Sequence, residues 1–159
     1  VDKILLDEML LAANLAPSWK NSQTPRFYVA TGEKSKNAVR EALPEFNRKN
    51  SENASAYIVT TVVLNRSGFD KDGTAVTEIG NGWGYYDLGL NNMALLLKAT
   101  ELGISTLVMG IRDGEKLRKE FDIPETEAVV SVIAVGYTDS EIVRPKRKSV
   151  EDFAKFYED

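Results

Sequence analysis

Residues 14–27 (NLAPSWKNSQTPRF) combine hydrogen-bonding side chains with two prolines, directly after an apolar, helix-like segment. Most of these polar side chains carry amides or hydroxyls, namely those of Asn14, Ser18, Asn21, Ser22, Gln23 and Thr24. Such side chains often only stabilise a turn, because they bond to the neighbouring backbone. The alternative is a loop that offers amide and hydroxyl groups to a polar heterocycle. The residues themselves leave both interpretations open.

Three further segments could contact a ligand. GISTLVMG (103–110) reads as a strand end flanked by glycines, which would let a ligand approach the backbone, although a plain strand and turn explain it equally well. The aromatic residues of GNGWGYYD (80–87) could cover a planar ligand, or could pack at a helix start or a dimer contact. RPKRK (144–148) contains four cations and indicates either a solvated tail or a phosphate site, because arginine forms bidentate bonds with phosphate oxygens.

The composition excludes several classes of enzyme. The 159 residues include no Cys and no His, so thiol nucleophiles, disulfides, thiolate metal sites and Ser-His-Asp hydrolases are ruled out. DKDG (70–73) does not begin a calcium loop, because Ala75 and Asn81 stand where such a loop needs Gly and Glu. An enzyme of this composition would use carboxylates, Lys, Tyr or an organic cofactor that carries its own chemistry. No metal site is expected.

Charge and hydropathy restrict the partners. The formal net charge of −4 gives no electrostatic support for nucleic-acid binding. No segment has the pattern of a signal peptide or of a membrane-spanning helix. We therefore expect a cytoplasmic protein that binds neither nucleic acid nor membrane, with residues 1–159 forming one domain.

The hydrophobic pattern predicts the elements that must position these segments. Helices are expected over 3–15, 33–43, 83–103 and 114–123, with a final short helix or extension over 149–158. Strands are expected over 26–31, 54–65, 104–110 and 128–138. The first helix should bury a face formed by Ile4, Leu5, Met9, Ala12 and Ala13, and the helix over 83–103 should be central and buried because it is apolar on more than one side. This order predicts an α+β or α/β sandwich with helices on both sides of a sheet.

Taken together, these segments resemble the nitroreductase family of FMN-dependent flavoproteins over nearly the whole chain. LAANLAPSWKNSQTPRFYVATG resembles the first flavin-binding loop of that family, an Ala-Pro-Ser-x-x-Asn-x-Gln pattern followed by a strand. DLGLNNMALLLKATELGISTLVMG resembles its central helix and the strand beside the flavin ring. VVSVIAVGYTD resembles its last core strand, and RPKRKSVEDF its basic tail. The resemblance implies a dimeric, three-layer α/β/α sandwich of the α+β class, with a central, mostly antiparallel sheet.

The resemblance also implies which residues hold FMN. The loop would contact the isoalloxazine edge or the ribityl chain, and the backbone after the strand 104–110 would lie against the ring, with an amide near Met109 bonding to flavin N5. The basic tail would bind the phosphate. The flavin would lie between two subunits of a homodimer, with the helix 83–103 largely in the interface. The implied cofactor-binding residues are Pro17, Ser18, Asn21, Gln23, Val108, Met109, Gly110, Arg147 and Lys148.

The implied activity is that of an FMN-dependent oxidoreductase. Hydride from NADH or NADPH would reach flavin N5 and pass to a small acceptor such as a nitroaromatic compound or a quinone. No catalytic acid or base of the protein is then required, which agrees with a chain that has no His. Two alternatives are a non-catalytic flavin store or sensor, and a cofactor-free interaction domain that keeps only the fold.

Two features differ from the usual pattern of the family. The family usually carries an Arg-Arg-Ser-x-Arg motif just before the first helix, and here the chain starts at Val1 without Met, so we expect further residues upstream. The family's common Gln-Pro-Trp is replaced by Gln23, Thr24 and Pro25, which displaces the proline by one position. The loop is therefore expected to differ locally in shape.

Overall fold

In the computed structural model, which describes residues 1–158, four strands form an antiparallel sheet. They are β1 (Pro25–Ala30), β2 (Ala56–Val63), β3 (Ser105–Met109) and β4 (Glu127–Gly136). Their order across the sheet is β1-β2-β4-β3, so β2 and β4 are central and β1 and β3 are the edges. The two central strands carry the longest β-branched runs of the sequence, as expected for strands that are covered on both faces.

Helices cover both faces of this sheet. On one face α1 (Lys3–Asn14) packs against α4 (Gly82–Glu101). On the other face lie α2 (Glu33–Glu41) and α5 (Gly114–Glu120). Two shorter helices complete the chain, α3 (Glu45–Asn50) directly after α2 and α6 (Val150–Phe153) in the C-terminal segment. The predicted three-layer α/β/α sandwich with an antiparallel sheet is confirmed.

Two hydrophobic clusters join the layers, one on each face of the sheet. Ile58 belongs to the cluster under α1 and α4, and the next residue, Val59, belongs to the cluster under α2 and α5. This alternation follows from strand geometry, because successive side chains point to opposite faces. Both side chains are fully buried, and burial of side chains of this size stabilises the fold by about 1.5–3 kcal/mol each.

The predicted faces of two helices need correction. In α1, Ile4 is 72% exposed, and Leu6 takes the expected buried position with Met9 and Ala13. In α4, the buried residues form one stripe, so within one chain the helix is not buried on all sides. Its opposite side leaves Met93 and Leu97 more than half exposed. The sequence of α4 is apolar on several sides, which indicated complete burial. Within one chain, however, other elements pack against only one of these sides.

Local sequence features explain the end of α4 and the start of α5. Gly103, with a φ of 70°, follows α4 and ends it, and the next N–H, that of Ile104, bonds back to the carbonyl of Ala99 at 2.8 Å. Asp113 caps α5 as predicted, since its carboxylate accepts the N–H of Lys116. Helix α3 was not predicted, because its sequence EFNRKN has a single large apolar residue, Phe46, and that residue is 75% exposed. None of the helices formed by residues 1–158 has both the length and the apolar character needed to span a membrane.

Candidate functional site

The loop of residues 17–24, called the polar loop below, connects α1 to the edge strand β1. It contains a short 3-10 turn at Trp19–Asn21, and three of its non-glycine residues have positive φ angles: Lys20 (46°), Asn21 (56°) and Gln23 (49°). Residues with a side chain rarely adopt this left-handed region, which costs about 1–3 kcal/mol for each of them. Contacts from the rest of the fold must therefore hold the polar loop in this shape.

A buried carboxylate on α4 supplies such contacts. Asp87 is 2% exposed, and both of its oxygens accept the backbone N–H of Trp19 at 3.1 Å. The hydroxyl of Ser67 also donates to Asp87, at 2.5 Å. The Ser67 oxygen in turn lies 2.6 Å from Ser22 Oγ and 3.1 Å from Thr24 Oγ1. The segment between β2 and α4 is called the 66–82 loop below. A continuous set of hydrogen bonds thus joins α4, the start of the 66–82 loop and the polar loop.

Two residues fix the polar loop from its outer side. Ser18 Oγ accepts the backbone N–H of Gln23 at 3.0 Å. Arg26, at the start of β1, donates to the carbonyl oxygens of Gln23 at 2.7 Å and Pro25 at 2.8 Å. These bonds bring a hydroxyl and a cation to the same side of the loop.

A small cavity opens beside the polar loop, between α1, α4 and β1. Its polar side chains are Asn14, Ser18, Gln23, Arg26 and Asn91, which provide three amides, a hydroxyl and a cation, with no carboxylate among the lining residues. This set of groups suits a polar heterocycle or an anionic group. The cavity volume is about 180 Å³, whereas sites for cofactor-sized molecules occupy roughly 300–1,000 Å³. Beside the polar loop, one chain therefore provides only part of a site of that size.

Aromatic side chains cover the hydrogen-bond network from outside. The rings of Trp19 and Trp83 are 4.7 Å apart at an angle of 48°, and Tyr86 meets Trp83 edge-on at 5.7 Å. Trp83 Nε1 donates to Thr77 Oγ1 at 2.8 Å, which attaches the 66–82 loop to the start of α4. Trp83 thus packs at a helix start, one of the two interpretations of GNGWGYYD, while Tyr86 remains 60% exposed.

The structure divides the predicted cofactor-binding residues into three groups. The first lies in the polar loop, the second at the end of β3, and the third in the C-terminal segment. The groups are Pro17, Ser18, Asn21 and Gln23; Val108, Met109 and Gly110; and Arg147 and Lys148. Residues 137–158 are all exposed except the half-buried Ala154, so neither cation of the third group packs against the sandwich.

Within one chain these groups do not meet. The polar loop leads into β1 and the second group ends β3, and these are opposite edges of the sheet. Neighbouring strands are spaced by about 4.8 Å, so the two edges lie about 14 Å apart. Helices cover both faces between them. The two segments of one chain therefore do not line a common cavity.

The end of β3 is open to its surroundings. Val108 is 48% exposed, whereas the side chain of Met109 is buried on the α2–α5 side. A Cβ added to Gly110 would meet no atom within 4 Å. Within residues 1–158 the outer side of β3 has no strand partner, so its backbone groups remain available to a ligand or to another chain.

The comparison with known families decides the relationship. The model of the nitroreductase family matches residues 1–137. This chain belongs to the nitroreductase family. It is therefore an oxidoreductase by family, and the predicted relationship is confirmed. Arg147 and Lys148 lie beyond the matched residues.

Three solved structures illustrate that other proteins share this fold. A family protein from Streptococcus pneumoniae TIGR4 is 21% identical, with a TM-score of 0.83 over 99% of this chain and 90% of the other. CLA-ER, an enone reductase of gut-bacterial fatty acid saturation, is 20% identical, with a TM-score of 0.84 over 98% and 88%. An oxidoreductase containing FMN is 25% identical, with a TM-score of 0.74 over 88% and 69%. No curated protein matches this chain significantly in sequence.

Sequence reasoning missed four residues of this candidate site. Asp87 and Asn91 lie four residues apart in the first, largely apolar part of α4, a spacing that places both on one face and could have revealed them. Both are buried there, and the amide of Asn91 donates to the carbonyl oxygen of Asp87. Ser67 and Arg26 had no comparable signal, because only the three-dimensional contacts show that they touch the polar loop.

Proposed function

We propose that this protein is an FMN-dependent oxidoreductase that takes hydride from NADH or NADPH and reduces a small acceptor such as a nitroaromatic compound or a quinone. The observation that carries the proposal is the polar loop with its cavity, on the scaffold of a nitroreductase-family chain. We also propose a homodimer located in the cytoplasm, with neither nucleic acid nor membrane as a partner. The net charge of −4 supports the exclusion of nucleic acid.

The chemistry of the cavity fits FMN. Amides from Asn14 and Gln23 and the hydroxyl of Ser18 could pair with the polar edge of the isoalloxazine ring or with ribityl hydroxyls. Arg26 is a cation beside this wall, and no carboxylate lines the cavity to repel a phosphate. The nearby carboxylate of Asp87 already accepts hydrogen bonds from Trp19 and Ser67. A neutral ring with an anionic end therefore suits this surface.

The separation of the predicted groups supports a site built by two chains. A second copy could bring its β3 end to the polar loop of the first, whereas the sheet of one chain keeps these two segments at opposite edges. Exposed apolar side chains are available for such a contact. They include Met93 and Leu97 on α4 and Phe153, Phe156 and Tyr157 in the C-terminal segment. Apolar surface of this kind marks an interaction site in many proteins.

In this proposal the residues of the chain bind and orient, and the cofactor supplies the reaction. FMN held by these residues would supply the hydride transfer, from a reduced nicotinamide to an acceptor by way of its N5. Pro17, Ser18, Asn21 and Gln23 would hold the ring edge and ribityl chain. The backbone of residues 108–110 from the other subunit would lie against the ring, with an amide near Met109 directed to N5. Arg147 and Lys148 would neutralise the phosphate, and no side chain needs to transfer a proton.

The first test is a visible absorption spectrum of the purified protein, before and after addition of FMN and desalting. A retained flavin spectrum followed by flavin-dependent oxidation of NADH or NADPH supports the enzyme. Retained flavin without such oxidation favours the store or sensor. A protein that retains no FMN favours the cofactor-free domain, and the proposal is then wrong.

A matched pair of variants tests the phosphate contact. Arg147→Ala should weaken FMN binding about tenfold or more, since a hydrogen bond to a charged group contributes about 1.5–3 kcal/mol. Arg144→Ala removes the same charge three residues away in the same exposed segment and should leave the FMN dissociation constant within about twofold. Quenching of flavin fluorescence measures both constants. Equal effects of the two substitutions would contradict a specific role for Arg147.

A further inference from the structure

We propose that Asp87 is the positioning residue that holds the polar loop in its left-handed shape, so that the outward side chains of the loop are ready for the cofactor. The inference rests on the proposed function in one respect, namely that the polar loop binds FMN. The side chain of Asp87 does not line the cavity itself. Its effect on binding would therefore act through the backbone of the loop.

The anchored residues of the loop alternate with the strained ones. The N–H of Trp19 is bound to Asp87 directly before Lys20 and Asn21, the first two residues with positive φ. Ser22 and Thr24 are bound to Ser67 on either side of Gln23, the third such residue. The anchored residues are, in chain order, Trp19, Ser22 and Thr24. Each strained segment is thus flanked by residues that Asp87 holds, directly or through Ser67.

The same alternation separates the residues that hold the polar loop from those that are free to bind the cofactor. Thr24 is 1% exposed and Ser22 is half-buried, so both anchors face the interior. Asn21 and Gln23 are exposed, and Gln23 lines the cavity. Without these anchors the left-handed residues would relax, and the side chain of Gln23 would lose its place in the cavity wall.

A carboxylate is suited to this role in a way that an amide is not. Asp87 accepts from the Trp19 N–H with both oxygens and from the Ser67 hydroxyl. Since Ser67 gives its only proton to Asp87, its oxygen is left to accept from Ser22 and Thr24. An asparagine would replace one acceptor by an NH₂ donor. In either orientation that donor would face the Trp19 N–H, which is itself a donor, so the hold on the polar loop would be weakened, and in one orientation it would also face the Ser67 hydroxyl.

The loop contains its own reporter, because trypsin cleaves after Lys20, whose side chain is 65% exposed. In FMN-free protein, Asp87→Asn should speed cleavage of the Lys20–Asn21 bond at least about tenfold. Cleavage after Lys116 in α5, on the other face of the sheet, reports unfolding of the whole chain. Its rate should increase by a much smaller factor than the rate of cleavage after Lys20. Mass spectrometry of the fragments separates the two cleavage sites.

The second readout is the dissociation constant of FMN for the full chain, measured by quenching of flavin fluorescence. Asp87→Asn should raise it about tenfold or more, because only the fraction of molecules with an ordered loop binds. Glu101→Gln removes a carboxylate from an exposed position of the same helix and should leave both readouts unchanged. Ser67→Ala breaks the arm from Asp87 through Ser67 to Ser22 and Thr24 but keeps the bond from Trp19 to Asp87. It should give a smaller effect of the same kind, which keeps the test decisive if Asp87→Asn fails to fold.

The outcomes separate this inference from the proposed function. Unchanged cleavage after Lys20 in both Asp87→Asn and Ser67→Ala overturns the inference. Faster cleavage with an unchanged FMN constant also overturns it, because the loop shape would then not matter for binding. If the wild-type protein binds no FMN, the proposed function fails, and the trypsin result alone still decides whether Asp87 holds the loop.

Discussion

Tyr28 donates its hydroxyl proton to the buried carboxylate of Glu127 at 2.9 Å, and this pair makes the stability of the protein sensitive to high pH. Burial, followed by the hydrogen bond and the negative charge of Glu127, raises the pKa of Tyr28 to about 12. The fold therefore favours the neutral phenol. Because the pKa in the unfolded chain is about 10, this stabilisation is complete below pH 10 and is lost as the pH rises through about 12.

Replacing Tyr28 by Phe should remove this part of the pH dependence. Urea unfolding at pH 9 and pH 11 should show a smaller loss of unfolding free energy in Tyr28→Phe than in the wild-type protein. Tyr157→Phe changes a tyrosine that is 87% exposed and serves as the control, with the loss of the wild-type protein retained. The same decline in all three proteins would show that the Tyr28–Glu127 bond has no such effect.

At the scale of the element, α4 must approach the sheet closely for Asp87 to reach the polar loop. Gly84, one turn before Asp87, permits this approach, since a Cβ added there would lie 2.8 Å from Val62 Cγ2. We expect Gly84→Ala to lower the unfolding free energy by about 1–3 kcal/mol, as overpacking commonly does. Urea unfolding measures the change.

A double substitution tests the cause of that loss. Val62 is 1% exposed, and Val62→Ala removes the methyl group that the new Cβ would meet. Gly84→Ala combined with Val62→Ala should therefore lose less stability than the sum of the two single substitutions, by about 0.5 kcal/mol or more. Strict additivity would mean that the helix shifts away from the sheet without meeting Val62.

The elements that the sequence predicted well are those with a strong local signal. The segments 54–65 and 128–138 contain β2 and β4, because their long β-branched and apolar runs are typical of strands that are buried on both faces. The short α3 escaped prediction because EFNRKN lacks an apolar period. The network around Asp87 escaped for another reason: Trp19 and Asp87 are 68 positions apart, and no local pattern records such a contact.

At the scale of the whole molecule, the sheet order decides how the predicted site residues can combine. The sequence indicated the polar loop and the 103–110 segment as ligand-binding segments, and the fold then placed them at opposite edges. Sequence reasoning could not have shown this separation, because the order β1-β2-β4-β3 depends on which strands pair, and not on the strands themselves. The proposed homodimer would reconcile the two results, since each polar loop could then face the β3 end of the other chain.

Mixed dimers test this arrangement directly. Pro17→Trp places a bulky side chain at an exposed position of the polar loop, and Gly110→Leu does the same after β3, where an added Cβ meets no atom within 4 Å. Both chains should fold, and each variant alone should bind little FMN, because every site contains one altered segment.

In a mixed dimer that carries one variant in each chain, both alterations fall in the same site and the other site is unaltered. Such a dimer, isolated with two different affinity tags, should bind about half as much FMN as the wild-type dimer. Binding of no FMN by the mixed dimer would show that both segments of one chain serve the same site, against the separation that the sheet imposes.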